Sequence, residues 1–387
     1  MNRAVAAFAT AVLLTGAIPS HAADSVTNEA ATAAEQTVAT PHSATHEAMA
    51  ADSATHAAAT VAETVQPVTT ELPVTPAARA MPANAWDGPM RTHTTSPFHM
   101  LRPSSTTLTP PGNRDVLATR LDVDVTWGNI WIYSPDVYRF DGEWIWARLS
   151  AQQQFGRASL RLTATAISRS GGVLDSLVET FHRQIGQGEG SRTDFPRGKT
   201  VLSVGADGSL FDVEGPSRRL GDTSVAFAWT LMEPNGSRPS VSTELIASFP
   251  TGDPDELAGL GGALYGVGLL ARQPVGNSGV AGYAGVLASY TTADALAGLS
   301  LYPHAVSRTL GVEYAWNSRW SGLVQYLGDS AAVKDARELS SSMHELAVGV
   351  RRRGAGRTTI EATVVENLAR FGNSADIELH AGLRHTF

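Results

Sequence analysis

Asp376-Ile377-Glu378-Leu379-His380-Ala381-Gly382-Leu383-Arg384-His385-Thr386-Phe387 closes the chain. Successive residues of a strand point to opposite faces. One face therefore carries Ile377, Leu379, Ala381, Leu383, His385 and Phe387, and the other Asp376, Glu378, His380, Gly382, Arg384 and Thr386. In a soluble protein the apolar face would meet a core. In an outer-membrane barrel it would meet lipid, with the polar set turned to a lumen. The terminal aromatic resembles the signal read by the outer-membrane assembly machinery. Phe387 is thus the expected assembly signal, and the barrel-assembly machinery and outer-membrane lipid are the expected partners.

The same alternation recurs upstream. From Leu117 there are about twelve candidate strands of roughly 10 to 12 residues, the length a tilted membrane strand needs. The first, Leu117 to Trp127, sets Leu121, Val123, Val125 and Trp127 against Arg120, Asp122, Asp124 and Thr126. The second is expected over about Glu143 to Gln154, where Trp144 and Trp146 share a face with Arg148 and fit a lipid-facing pattern poorly. Connections alternate in length. Tight turns at Gln154–Arg157, Glu233–Ser237, Pro274–Ser278, Trp316–Arg319 and Arg353–Gly356 alternate with longer stretches at about Ile132–Asp141, Arg169–Arg219, Pro250–Ala263, Thr291–Pro303, Asp329–Leu339 and Ala369–Ala375. Short periplasmic turns and longer extracellular loops give that rhythm, and it puts both termini on the periplasmic side. Aromatic girdles are expected at Trp316, Trp320 and Phe387 on one rim and at Trp127, Phe249, Tyr265, Tyr290 and Tyr326 on the other. A periplasmic β-sandwich would share the alternation, but not the loop rhythm or the terminal Phe. The expected fold is all-β: a closed antiparallel outer-membrane β-barrel with one short helix in a long extracellular loop.

The other end of the chain agrees with export. Arg3 precedes the apolar run Ala4–Ile18, and small residues around Ala22 offer a cleavage site, so 1–22 reads as a signal peptide. Residues 23–86 are rich in Ala, Thr, Ser, Glu, Val and Pro, and aromatics are absent until Trp86. Such a stretch cannot bury enough apolar surface to offset its ordering entropy, and it is expected to be a disordered periplasmic tail, its histidines His42, His46 and His56 solvated. The barrel domain then covers 87–387.

Composition narrows the function. The 387 residues include no cysteine, which excludes disulfides, thiolate metal sites and a Cys nucleophile. A net charge of −8 argues against nucleic acid as a partner. No cofactor and no metal is expected. Mean hydropathy is close to zero, as it is when lipid-facing and lumen-facing residues average along each strand.

The long loop after the third strand is the most distinctive segment. Leu174, Leu177, Val178, Phe181 and Ile185 recur at helical spacing, and Asp175 sits where the helix dipole favours an acid. The helix should lie at the extracellular mouth or fold inward as a plug. Asp141, Glu143, Asp175, His182, Arg192 and Asp194 are the candidate binding or plug residues, although a helix-edge histidine such as His182 commonly just packs a loop. A surface hairpin is expected over Thr200–Val213. Inward parity assigns to the lumen Arg120, Asp122, Asp124, Arg148, Arg161, Glu244, Glu313, Glu345, Arg351, Glu361, Glu378 and Arg384. These charges could pair across a narrow barrel and close it, or line a selective pore.

The run Phe140-Asp141-Gly142-Glu143, with Gly171-Gly172-Val173-Leu174-Asp175, Phe181-His182 and Arg192-Thr193-Asp194-Phe195-Pro196, resembles a proteobacterial domain-of-unknown-function family, number 3187. Ser96-Pro97-Phe98 resembles that family's opening motif. The resemblance covers roughly Ser96 to Phe387. It implies an outer-membrane barrel of undefined activity and lends no catalytic residue.

A narrow channel or passive transporter for small polar solutes is the expected function, with a closed-lumen structural or envelope-interaction barrel as the alternative. One enzyme reading remains. Ser342 and His344, two residues apart on an outward face, are what a barrel-surface lipase would need, but no orienting third group is evident, and no catalytic residue is assigned.

Overall fold

The computed structural model describes residues 87–111, 118–185, 192, 194–235, 237–354, 357–368 and 372–387. The expected signal peptide and tail, with His42, His46 and His56, lie outside the described residues. Twelve strands form the wall: β1 (Thr119–Ser134), β2 (Tyr138–Phe155), β3 (Ala158–Ser170), β4 (Thr223–Met232), β5 (Ser240–Phe249), β6 (Leu264–Pro274), β7 (Val280–Thr291), β8 (His304–Ala315), β9 (Trp320–Asp329), β10 (Met343–Arg353), β11 (Thr358–Asn367) and β12 (Ile377–Thr386). Each pairs antiparallel with its neighbours in sequence. The first pairs with the last, Arg120 opposite Thr386 through Asn129 opposite Ile377, so the sheet closes on itself without an edge. The protein is a closed antiparallel β-barrel of the outer-membrane type.

Period-two patterning accounts for the wall. Leu149, Leu162 and Leu245 point outward, each more than half exposed. Asp122, Asp124, Arg148, Glu244, Glu313 and Glu361 point inward and are buried. No helix among the described residues is long and apolar enough to cross a membrane. Trp316, Trp320 and Phe387 are exposed at the rim that carries the short turns, and Phe249, Tyr265 and Tyr290 at the opposite rim. Trp127 and Tyr326 are half-buried instead: the Trp127 indole donates to Glu143 Oε2 (2.9 Å) and the Tyr326 ring stacks on His344.

One connection differs from expectation. Ile132–Asp141 is not a loop but the end of a hairpin in which β1 and β2 continue well past the wall and turn over only 135–137. The reason is burial. Ile130, Ile132, Tyr138 and Phe140 keep the inward parity of the strands and are at most 3% exposed. They pack with Trp144, Leu202, Leu257, Leu260, Leu301 and Leu339 from the hairpin and the long loops. This apolar dome also absorbs Trp144 and Trp146, which explains their place on the inward face beside Arg148.

The remaining long connections run over 171–222, 250–263, 292–303, 330–342 and 368–376. Within the first, the helix α1 (Asp175–Ile185) forms as expected. The strands Val201–Val204 and Phe211–Glu214 make the expected hairpin, which is joined to the wall: Tyr138–Asp141 of β2 pairs with Val201–Val204. Ser217–Leu220 likewise extends β3.

Candidate functional site

The lumen is occupied by the chain itself. Residues 87–111 carry no strand, yet from Gly88 to Thr109 all but Leu101 and Pro103 are buried. This plug begins at the short-turn rim, where Asp87 meets Arg353 Nε (2.9 Å) and its carbonyl accepts from Arg384. It climbs to the opposite end, where the Phe98 ring lies edge-on to Phe140 with centroids 5.8 Å apart. The bend holds Phe98 at φ 66°, which costs a non-glycine residue about 1 kcal/mol. Burial of the ring in the dome offsets that cost. The segment then descends past Ser307 to Thr109, whose N–H donates to Glu244 (2.9 Å). Small inward residues on the wall make the groove. A Cβ on Gly128 would sit 2.0 Å from Thr95 Oγ1, and one on Gly268 2.4 Å from Leu108 Cδ2.

The inward charges bind this plug and one another. Asp122 accepts from Arg91 Nη1 (2.5 Å) and Arg384 Nε (3.1 Å), with Arg120 Nε 3.2 Å away. Asp124 pairs with Arg148 (2.6 Å). Arg351, fully buried, pairs with Glu313 (3.2 Å) and Glu361 (3.0 Å) and donates to the carbonyls of Gly88 and Pro89. Arg161 pairs with Glu244 (2.5 Å) and donates to the Thr107 carbonyl (2.7 Å). Glu345 accepts from Thr94 and Ser374, and Glu378 from Thr95. Between these charges Ala226, Ile246, Leu270, Tyr283, Leu287, Leu323, Ala347 and Val365 form an apolar cluster with Met90 and Leu108 of the plug. A cavity of about 80 Å³ remains between the plug and β2–β5, lined by His93, Arg102, Arg148, Arg161, Asp222 and Ser224 among others. Burial pushes the Asp222 carboxyl above its usual value, against the N–H groups of Leu260 and Gly252 that it accepts.

The loop residues picked out by sequence lie on the outer face of the β1–β2 hairpin. Arg192 pairs with Asp376 and with Asp175 (2.9 Å) and donates to Asn129 Oδ1, while the Asn129 amide donates to Asp175 Oδ1 (3.0 Å). Burial opposes the Asp175 charge, but Gly198 N–H, Asn129 and Arg192 together hold its carboxyl below the usual carboxylate range. Glu143 accepts from Leu174 N–H, and Asp141 pairs with Arg139 (2.7 Å). Phe195 packs on Trp131 and Tyr133, with Arg139 over its ring (4.3 Å). These contacts strap the loop to the hairpin. Asp194 is exposed beside them, and the His182 side chain lies outside the described residues. The helix is thus part of the strap, and the plug is formed by 87–111. Ser342 is exposed just before β10, and His344 Nδ1 is 2.7 Å from Tyr326 Oη.

A family profile for proteins of unknown function, DUF3187, matches residues 68–387. The chain belongs to this family. Among solved structures, the COG4313 outer membrane channel from Pseudomonas putida F1 aligns with a TM-score of 0.51 at 11% identity, over 72% of this chain and 100% of that one. At such identity the likeness concerns fold alone. The NanC porin (TM-score 0.38, 9% identity, 70% of this chain and 98% of that one) and the Pseudomonas putida toluene transporter TodX (TM-score 0.36, 10% identity, 80% and 99%) are more distant barrels. No curated protein matches the chain.

Sequence reasoning missed the plug. Its only local signals are four spaced apolar anchors, Met90, Phe98, Met100 and Leu108, in a hydroxyl-rich run without period, together with glycines at inward positions of distant strands.

Proposed function

We propose that this DUF3187 protein is an outer-membrane channel for small polar solutes whose resting lumen is held closed by its own N-terminal segment. The observation that carries this reading is the plug. A polar, charge-lined lumen filled by a non-covalently held segment has the composition of a water-filled passage when that segment leaves. In this reading a signal peptide directs export and the short-turn rim faces the periplasm. The chain acts on no bond. The apolar dome favours a second reading, a permanently closed structural barrel.

Proteoliposomes separate the two. Deletion of Asp87–Pro111 should raise efflux of salts and small sugars at least tenfold over the full chain. A deletion variant that keeps heat-modifiable gel mobility yet passes no solute would end the channel reading. Assembly is tested separately. Phe387→Ala should lower the amount of barrel inserted in cells several-fold, and unchanged insertion would remove Phe387 as the signal read by the assembly machinery.

A further inference from the structure

Most buried acids that grip the plug have an arginine, but two do not. Among the described residues neither Glu345 nor Glu378 forms an ion pair, although they are 1% and 2% exposed. They project inward from β10 and β12, flanking β11, and hold consecutive plug residues. Glu345 Oε1 accepts from Thr94 Oγ1 (2.8 Å) and Ser374 Oγ (2.7 Å). Glu378 Oε1 accepts from Thr95 N–H (2.5 Å) and Thr95 Oγ1 (2.7 Å). The second oxygen of each carboxylate, Oε2, is buried without a hydrogen-bond partner. We propose that Glu345 and Glu378 form a proton-operated latch, protonated when the plug is docked and ionised when it leaves.

The surrounding charges are committed elsewhere. From the plug, Arg91 pairs with Asp122, His93 meets the Met100 carbonyl and His99 Nδ1 meets Ser96. From β1, Asp124 pairs with Arg148. From β10 and β11, Arg351 pairs with Glu313 and Glu361. On β12, two residues from Glu378, His380 Nε2 lies 3.5 Å from Glu361 and its Nδ1 3.2 Å from Thr126 Oγ1. Asp329 of β9 adds a further acid, and Asp376 is paired with Arg192. With no cation to compensate, a buried carboxylate takes up a proton rather than keep its charge. A divalent cation would need about six oxygens, and this carboxylate pair offers two open ones, the Oε2 atoms. A proton needs no more than those.

Linkage then has one sign. Docking buries the pair and raises its proton affinity, so the docked state is favoured below the pKa of the exposed carboxylates and loses that advantage as pH rises through the docked values. This regulation rests on the plug being a releasable element, as in the channel reading, but its test does not need conductance.

Hydrogen exchange of the Met90–Leu108 amides in the full chain in detergent, corrected for intrinsic rates, reads docking directly. The opening equilibrium should rise at least tenfold between pH 6 and pH 9. It should be flat with pH in Glu345→Gln/Glu378→Gln, which keeps the hydrogen-bond acceptors. Equal corrected exchange of the full chain at both pH values would overturn the latch, whether or not the variant folds. So would a pH response that survives in the double variant, or an opening driven by EDTA at constant pH. If the latch fails while deletion of the plug still opens the barrel, the channel reading stands alone.

Discussion

The β1–β2 hairpin runs through two different interiors. Its lower half contributes Asp122, Asp124 and Arg148 to a lumen where the plug is held by ion pairs and hydrogen bonds. Its upper half contributes Ile130, Ile132, Tyr138 and Phe140 to a dome held by apolar contact. The backbone register is continuous across both. The chemistry of release is not. Water can replace each bond that the plug makes in the lumen, whereas opening the dome exposes hydrocarbon at about 25 cal/mol per Å². The polar half is suited to exchanging its occupant, and the apolar half to staying closed over it.

The two interiors can be perturbed separately. The largest single-residue effect is expected in the lumen. Arg351→Leu leaves Glu313 and Glu361 without their shared partner and should lower unfolding stability in lipid vesicles by about 3–5 kcal/mol. A loss under about 1 kcal/mol would mean that water already reaches those acids and that the lumen is wetter than its burial indicates. Phe140→Ala in the dome should cost about 3 kcal/mol, and should loosen the plug tip through Phe98 while leaving its lower contacts protected from exchange. Uniform loss of protection along the plug would show that the two interiors behave as one.

The smallest effect is at the strap outside the hairpin. The carboxyl of Asp175 is held low in the folded state, so its contribution is present above the ordinary carboxylate value of 3.8 and is lost as pH falls below it. Proteolysis of the 171–200 loop should therefore increase between pH 5 and about pH 3, and Asp175→Asn should remove that dependence. An acid response unchanged in the variant would assign it to another group.

Much of the barrel was legible in sequence because a membrane strand obeys one local rule. Alternation set inward and outward faces, and outside the β1–β2 hairpin the loop rhythm set the strand boundaries to within a few residues. Leu379, Leu383 and Phe387 face outward and Glu378 and Arg384 inward, as the last strand alone indicates. The hairpin extension was hidden because Ile132 and Phe140 flank turn-forming residues, and their burial partners lie in other loops. Asp175 and Arg192 stand among six candidate binding or plug residues in the sequence, but their contacts with Asn129 and Asp376 depend on tertiary placement. The plug was invisible for a deeper reason. It has no secondary structure of its own, and its bonds go to groups such as Glu378, 283 residues away from Thr95. No local period encodes such partners.

Single-channel recording in planar bilayers distinguishes a plugged channel from a sealed barrel. The full chain should be closed, with rare brief openings, and the barrel lacking Asp87–Pro111 should give a steady stepwise conductance. A folded deletion variant that never conducts, or a full chain that already conducts as well as the deletion, would contradict the account.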